Sequence, residues 1–149
     1  MIHIQRATVQ DIDTLIDFQQ RLASESEGVT LNGEVLRKGL QALFADPNKG
    51  FYFVAKENTE VIGCHMITFE WSDWRNGMVW WIQSVYTVPE FRRRGIYAAL
   101  YGHIRAKVAD DPNIRGIRLY VDNRNKPAQE VYARLGMEGE HYRVFEWMK

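Results

Sequence analysis

Three consecutive arginines stand directly before a glycine that opens a predicted helix, and this arrangement can bind an anion. The segment reads PEFRRRGIY, with Arg92, Arg93 and Arg94 preceding Gly95. Glycine lets the backbone approach a ligand closely, and the first amides of a helix have no intrahelical acceptor and carry the positive end of its dipole. Together with basic side chains, such amides suit a pyrophosphate. A solvated turn or a nucleic-acid patch would use the same residues.

A second segment carries an amide and a phenol on a short predicted helix. It reads LYVDNRNKPAQEVYARLGM, with Asn125 after a predicted strand and Tyr132 seven residues further on. Pro127 at a first-turn position begins the helix and Gly136 ends it. The apolar stripe that includes Tyr132 is also typical of core packing, so the pattern alone leaves the role of the phenol open.

Both segments need a sheet and helices to position them. Alternating or β-branched runs predict strands, which are IHIQRA, FYFVAKE and EVIGCHMITFEW around an Asn58-Thr59 turn, MVWWIQSVYTV, IRGIRLYV and HYRVFEW. Helices are predicted from Thr8, from Asn32 to about Asp46, from Gly95 and from Pro127, and SESEGVTLNG is predicted to be a loop. The order β-α-α-β-β-β-α-β-α-β indicates a mixed sheet with helices on both faces, of class α+β or α/β.

Composition narrows the classes of function. A length of 149 residues with 46% hydrophobic and 26% charged residues predicts one globular domain, 1–149. Nineteen basic and nineteen acidic residues give no net charge, which disfavours a dedicated nucleic-acid binder. Neither a secretion signal nor a membrane-spanning run is recognisable, so we expect a cytoplasmic protein without a membrane partner.

The nucleophilic and metal-binding residues are few. Cys64 is the single cysteine, which excludes a disulfide framework and a multi-cysteine zinc module, and we expect no metal. The Cys64 thiol is predicted to be buried and inert. His65 and His103 lie on apolar faces of a strand and a helix, and we expect both to be core residues.

The two segments together resemble the GNAT family of acetyl-coenzyme A-dependent N-acetyltransferases. The family's first motif, [R/Q]-x-x-G-x-[G/A], is present as Arg92 and Gly95, with Tyr97 in place of the last small residue. Its second motif, N-x-x-A-x-x-x-Y-x-x-x-G-[F/M], is present in full as Asn125, Ala128, Tyr132, Gly136 and Met137. The resemblance extends over nearly the whole chain and implies the family's fold, whose sheet is splayed open between its two middle parallel strands.

The resemblance implies acetyl-coenzyme A as the cofactor and assigns residues to it. Pantetheine would bond to the backbone of Val85, Tyr86 and Thr87. The pyrophosphate would lie on the loop and helix start, and the implied cofactor residues there and in the second motif are Arg92, Arg93, Arg94, Gly95, Ile96, Tyr97, Ala98 and Asn125. A large side chain at Tyr97 fits this turn only if it points away, towards the core or the acceptor side.

The resemblance also makes Tyr132 the catalytic acid that protonates the leaving thiolate. A backbone N–H between Val85 and Thr87 is the candidate donor to the thioester oxygen. The attacking amine must be neutral, yet no carboxylate lies between Arg75 and Glu90 to act as its base. The open alternatives are a water held by Gln83, an amine that arrives neutral, or a more distant carboxylate among Glu25, Glu70 and Asp73.

Acidic and aromatic residues predict a small cationic amine as acceptor, through charge pairing and cation–π attraction. The candidate acceptor residues are Glu25, Glu27, Glu70, Trp71, Trp81 and Gln83. Their layout is somewhat like that of diamine acetyltransferases. An amino acid or a protein N-terminus is the alternative acceptor, and a non-catalytic acyl-coenzyme A-binding module or sensor is the alternative function. A homodimer is expected from the family alone.

Overall fold

The computed structural model describes residues 1–149 and divides into two compact units, Met1–Arg118 and Leu119–Lys149. The strands are β1 (Ile2–Arg6), β2 (Phe51–Glu57), β3 (Glu60–Ser72), β4 (Gly77–Thr87) and β5 (Ile114–Arg118). The helices are α1 (Ile12–Glu27), α2 (Gly33–Ala45), α3 (Ile96–Asp110) and, in the second unit, α4 (Lys126–Arg134). No helix combines the length and the apolar character that crossing a membrane requires.

The first unit is built on a mixed sheet with strand order β1-β2-β3-β4-β5. Neighbouring strands are antiparallel except for β4 and β5, which are parallel. The ladder between β4 and β5 ends at the pair Trp81–Arg118, so residues 82–87 of β4 pair with β3 only. The predicted mixed sheet is confirmed, with the aromatic strand β4 in its interior.

Helices cover both faces of this sheet, as the element order predicted. Phe18 of α1 packs against Tyr86, with ring centroids 5.2 Å apart, and Tyr86 pairs with Cys64 of β3. Successive residues of a strand point to opposite faces. His65 therefore faces the other side of the sheet, where the ring of Tyr97 in α3 lies 5.8 Å from it.

Polar residues cap two helix starts at the predicted positions, Thr8 and Asn32. The Thr8 amide donates to the Asp11 carboxylate at 2.9 Å in a capping box. Asn32 accepts from two amides at the start of α2. The prediction of a loop from Ser24 is wrong in its first half, because α1 continues to Glu27 and ends at Gly28, whose φ of 64° is the left-handed conformation that glycine adopts most readily.

Two strand predictions near the C-terminus are wrong. The segment IRGIRLYV is a strand only as far as Arg118, and HYRVFEW forms no strand. A strand is stable only when a neighbouring backbone pairs with it, and alternation of side chains cannot supply that neighbour. The apolar side chains of this last segment are exposed, with Phe145 at 93% and Trp147 at 88%.

Candidate active site

A bulge interrupts β4 near its carboxyl end. Cys64 pairs with Tyr86 and Met66 pairs with Gln83, so one residue of β3 opposes two of β4, Ser84 and Val85. Ser84 has a φ of 56°, a left-handed conformation that costs a non-glycine residue about 1–3 kcal/mol. A bulge leaves a backbone group outside the ladder and bends the strand. The bulge therefore takes Ser84 and Val85 out of the ladder register, and Val85 is the first residue of the segment predicted to bind pantetheine.

The loop between β4 and α3 forms a backbone concavity. Arg93 and Gly95 have φ of 61° and 78°, and left-handed residues of this kind turn successive amides towards one point and create an anion site. No side chain caps α3, and its first internal bond runs from the Ala99 amide to the Gly95 carbonyl at 3.0 Å. The amides before Ala99 thus have no intrahelical acceptor. This geometry is compatible with a pyrophosphate, and the pyrophosphate site at this loop stays a prediction.

The three arginines of the loop have different surroundings. The Arg92 guanidinium donates to the Thr87 carbonyl at 2.9 Å and to the Glu25 carboxylate at 2.7 Å. Arg94 stacks over the ring of Phe91 with its guanidinium carbon 4.7 Å from the centroid. The Arg92 side chain is thus directed at α1 and the strand end, whereas the Arg94 side chain lies over Phe91.

Glu25 is held at the end of α1 by two donors. The Tyr86 hydroxyl donates to it at 2.6 Å, and Arg92 binds its other oxygen. The Tyr86 hydrogen bond, followed by that of Arg92, lowers the pKa of Glu25 below its ordinary value. The carboxylate therefore stays ionised and is a weak base at neutral pH.

The ring of Tyr97 lies against the sheet. It packs edge-on against His65 under α3, and Ile96 beside it is buried. This position satisfies the steric condition set by the sequence, namely that the large side chain at this motif position should point away from the loop.

A polar strip follows β3 and β4 on the face that α1 covers in part. Gln83 donates to the Thr68 hydroxyl at 2.6 Å, and the Trp81 indole donates to Glu70 at 2.8 Å. Arg118 contacts both oxygens of Glu70, at 2.9 and 2.8 Å. The Trp81 hydrogen bond and then Arg118 lower the pKa of Glu70, so this carboxylate is also ionised and a weak base.

The predicted acceptor residues do not form one cluster. Glu25 contacts Tyr86, whereas Trp71 pairs with Met78, eight residues earlier on β4 and roughly 26 Å away along the strand. Trp71 is exposed, and Glu27 is exposed in the last turn of α1. Glu70, Trp81 and Gln83 share the polar strip between these two ends. The structure thus separates Trp71 from the carboxyl end of β4, because the β3–β4 hairpin is long.

An open groove of about 440 Å³ lies beside the end of α1. Its lining residues come from the last two turns of α1 and the chain after it, and they are Gln20, Arg21, Ser24, Glu25, Val29 and Thr30. Gln20 fixes that following chain by donating to the Leu31 carbonyl at 3.0 Å and accepting from its amide at 3.1 Å. The groove adjoins the Glu25–Arg92 pair and thereby the cofactor loop.

The second unit carries the other motif. Asn125 caps α4 by accepting from the Ala128 amide at 3.2 Å, and Gly136 follows the helix with a φ of 90°. Tyr132 lies in the middle of α4, and burial raises its pKa above the ordinary value of a phenol. Its hydroxyl is therefore protonated at neutral pH, which is the form required of an acid.

Sequence reasoning missed two residues at the bulge. Ser84 was not singled out, because no residue type marks a bulge in a strand. Gln19 was not singled out either, although it is 6% exposed and bonds to the Ser84 carbonyl at 3.3 Å. A glutamine on the apolar stripe of α1 was the only available signal.

Known proteins resemble this chain in sequence and in fold. A family model described as "Acetyltransferase (GNAT) family" matches residues 15–137. The solved structure of a possible acetyltransferase from Clostridium difficile 630 is 42% identical, covers 100% of this chain and 98% of its own, and gives a TM-score of 0.93. No curated protein matches the chain.

More distant solved structures share the fold. A predicted acetyltransferase from Clostridium acetobutylicum, crystallised with acetyl-CoA, is 23% identical, covers 98% of this chain and 96% of its own, and gives a TM-score of 0.76. The aminoglycoside N-acetyltransferase AAC(6')-Iy, in complex with CoA, is 16% identical, covers 100% and 95%, and gives a TM-score of 0.81.

Proposed function

The chain belongs to the GNAT acetyltransferase family and is an acetyl-coenzyme A-dependent acetyltransferase, and on this premise we propose that it acetylates a primary amine, of the small cationic class. The observation that carries the proposal is the path of β4. This strand leaves its ladder with β5 after Trp81, bulges at Ser84 and leads into the amide concavity around Gly95. A thioester arm along the strand and a pyrophosphate in the concavity would fit this sequence of features.

We propose that residues 1–149 act as one domain and that acetyl-coenzyme A binds along the segment from Val85 to Ala98. Amides from Arg93 to Ala98 would bind the pyrophosphate, and the backbone of Val85 to Thr87 would bind the arm. Arg92 would act by holding the loop against Thr87 and Glu25, and Asn125 by capping α4. When bound, acetyl-coenzyme A supplies an activated acetyl group.

Acetyl transfer forms an N–C bond and breaks a C–S bond, so one proton leaves the amine and one reaches the sulfur. A backbone N–H at the bulge would donate to the carbonyl oxygen as its negative charge develops. The Tyr132 phenol, kept protonated by its raised pKa, would give its proton to the departing sulfur. Because the carboxylates of Glu25 and Glu70 are both engaged in ion pairs, we propose that a water held by Gln83 relays the amine proton to bulk solvent.

The acceptor is proposed to lie along the α1 side of the sheet. Glu25 and Glu70 are ionised there, and Val79, the partner of Glu70, is five residues from Ser84, or about 16 Å along β4. An extended diamine could react at the bulge while its second ammonium pairs with Glu70. Amino acids and protein N-termini remain the alternative acceptors.

A second copy of the chain is the proposed partner at the C-terminus. Phe145, Trp147 and Met148 are 93%, 88% and 80% exposed. A buried aromatic side chain covers roughly 150–250 Å². Two copies would bury four such rings, namely Phe145 and Trp147 of each. Together with an equal area on the surfaces that these rings contact, the total buried area is on the order of 1,200 Å², which is the lower end for stable interfaces. Light scattering on the intact protein and on Trp147→Ser should give a dimer and a monomer, and a monomeric intact protein would contradict the proposal.

The function is tested by following coenzyme A release with diamines of increasing length, matched monoamines, amino acids and peptides. We expect turnover with amines and the highest kcat/KM with a diamine. Tyr132→Phe should lower kcat by about 10²-fold or more at unchanged acetyl-coenzyme A affinity. Tight cofactor binding without turnover of any amine would instead indicate the non-catalytic module.

A preference for diamines has its own control in Glu70→Gln, which removes the charge and keeps the shape of the side chain. This variant should lose the advantage of diamines over monoamines and keep the kcat of monoamines. An unchanged preference would remove Glu70 from the acceptor site. If the intact protein shows its highest kcat/KM with amino acids or peptides, these acceptors replace small cationic amines as the proposed substrate class.

A further inference from the structure

The carbonyl of Ser84 is held by two side chains that no family motif includes. Gln19 Nε2 donates to it at 3.3 Å, and the Cys64 thiol donates to it at 3.6 Å. The two donors also touch each other, with Gln19 Nε2 3.9 Å from Cys64 Sγ. They come from α1 and from β3, and they meet on a single backbone atom of the bulge.

We propose that Gln19 and Cys64 are positioning residues that hold the β4 bulge in its reactive geometry. The inference rests on the proposed function, in which a backbone N–H of this bulge donates to the thioester oxygen. Neither side chain touches the reacting atoms. Both act through Ser84, whose carbonyl orientation fixes the peptide plane that leads to Val85.

Strain at the bulge explains why such a device is needed. Ser84 is a non-glycine residue with a φ of 56°, and its conformation persists only where the surroundings stabilise it. Rotation of the Ser84–Val85 peptide would swing the carbonyl and the following N–H together, because the peptide group is planar. Two donors on the carbonyl therefore fix the direction of the N–H.

The burial of both donors makes these bonds effective. Gln19 is 6% exposed and Cys64 is fully buried, so water is a poor substitute for either partner. Burial raises the pKa of the Cys64 thiol to about 12, which keeps its hydrogen available for donation at physiological pH. Tyr52, 3% exposed on β2, adds a side-chain hydrogen bond with Ser84.

The hydrogen bonds of Gln19 and Cys64 to the Ser84 carbonyl form a clamp on the bulge. α1 connects this clamp to the groove beside the last turns of the helix. Gln19 lies six residues before Glu25, which bonds to Tyr86 two residues after the bulged Ser84. The same helix thus contacts β4 on both sides of Val85. Contacts on both sides make the bulge part of a rigid surface formed by α1 and β4.

The experiment uses matched substitutions that remove or restore a donor. Gln19→Met and Cys64→Ala remove one donor each, whereas Cys64→Ser keeps a donor. Leu15→Ala is the control for stability, because Leu15 is fully buried in α1 and has no bond to the bulge. We expect Gln19→Met and Cys64→Ala to lower kcat by about 10-fold or more and to change KM for acetyl-coenzyme A by less than about threefold.

Cys64→Ser should retain most of the kcat, and Leu15→Ala should lower the melting temperature with kcat unchanged. Amide hydrogen exchange at Ser84, Val85 and Tyr86 should accelerate in Gln19→Met and Cys64→Ala but not in Cys64→Ser. Unchanged kcat and unchanged exchange in both donor-removing variants would overturn the proposal, as would equal loss of kcat in Leu15→Ala.

The failure of the proposed function gives a different result. If the intact protein acetylates no amine, the function is wrong, and hydrogen exchange at the bulge alone decides whether Gln19 and Cys64 hold it. If the intact protein is active and both donor-removing variants match it, the clamp is wrong and the function stands.

Discussion

His65 makes the stability of the fold depend on pH. Its side chain is fully buried in β3, and neither ring nitrogen has a hydrogen-bond partner. Burial, assisted by the nearby His103, lowers the pKa of His65 from 6.5 to about 3. The neutral ring is thus the form that the folded protein accepts, and protonation favours the unfolded chain.

The size of the effect follows from proton linkage. His65 contributes its full stabilisation above the unfolded pKa of 6.5, and the contribution declines as the pH falls towards about 3. The loss is about 1.4 kcal/mol per pH unit in this window, which gives about 2 kcal/mol at pH 5. For a chain of this size, that corresponds to a decrease of roughly 4–8 °C in melting temperature.

The assay compares melting temperatures at about pH 7.5 and pH 5 for the intact protein and for His65→Phe. The quantity compared is the difference in melting temperature between the two pH values within each protein, so any loss of stability that the substitution causes at neutral pH cancels. The acid-induced decrease in melting temperature should be smaller in His65→Phe by most of the roughly 4–8 °C attributed to His65. His103→Gln should reduce it less, because His103 is half-buried and its pKa is lowered by burial and by Lys107. An equal acid-induced decrease in His65→Phe and the intact protein would refute the reasoning.

Three further pairs of substitutions test the loop before α3, the cap of α2 and the close backbone contact at Gly50. Gly95→Val should weaken coenzyme A binding by calorimetry, whereas Gly95→Asn should bind more nearly like the intact protein, because asparagine tolerates the φ of 78°; equal binding by all three would contradict a role for this turn. Asn32→Ala should cost about 1 kcal/mol of unfolding free energy in urea by removing the two cap bonds of α2, with Asn32→Asp as the matched control that keeps them. Gly50→Ala should lower the melting temperature far more than Gly39→Ala, because a Cβ at Gly50 would meet the Ile67 carbonyl, whereas Gly39 has open space; a similar change in both would argue against this steric explanation.

Local patterns predicted most of the elements correctly. The apolar periodicity of α1, α2 and α3, the caps at Thr8 and Asn32, and the Asn58-Thr59 turn all depend on neighbours within a few residues. The same holds for the anion loop, since Gly95 and the uncapped helix after it follow from the local sequence. Patterns near the C-terminus failed because a strand needs a partner far away in the chain.

By itself, the amino-acid sequence determined the family, the order of the elements from β1 to α4 and the identity of the two motifs, because these depend on residue types at short spacing. Only the tertiary structure decided which groups meet. It brought Gln19 and Cys64 onto Ser84, directed Arg92 to Glu25, and separated Trp71 from the end of β4. Contacts of this kind depend on strand register and on the direction of side chains across packed elements, and local sequence carries no record of either.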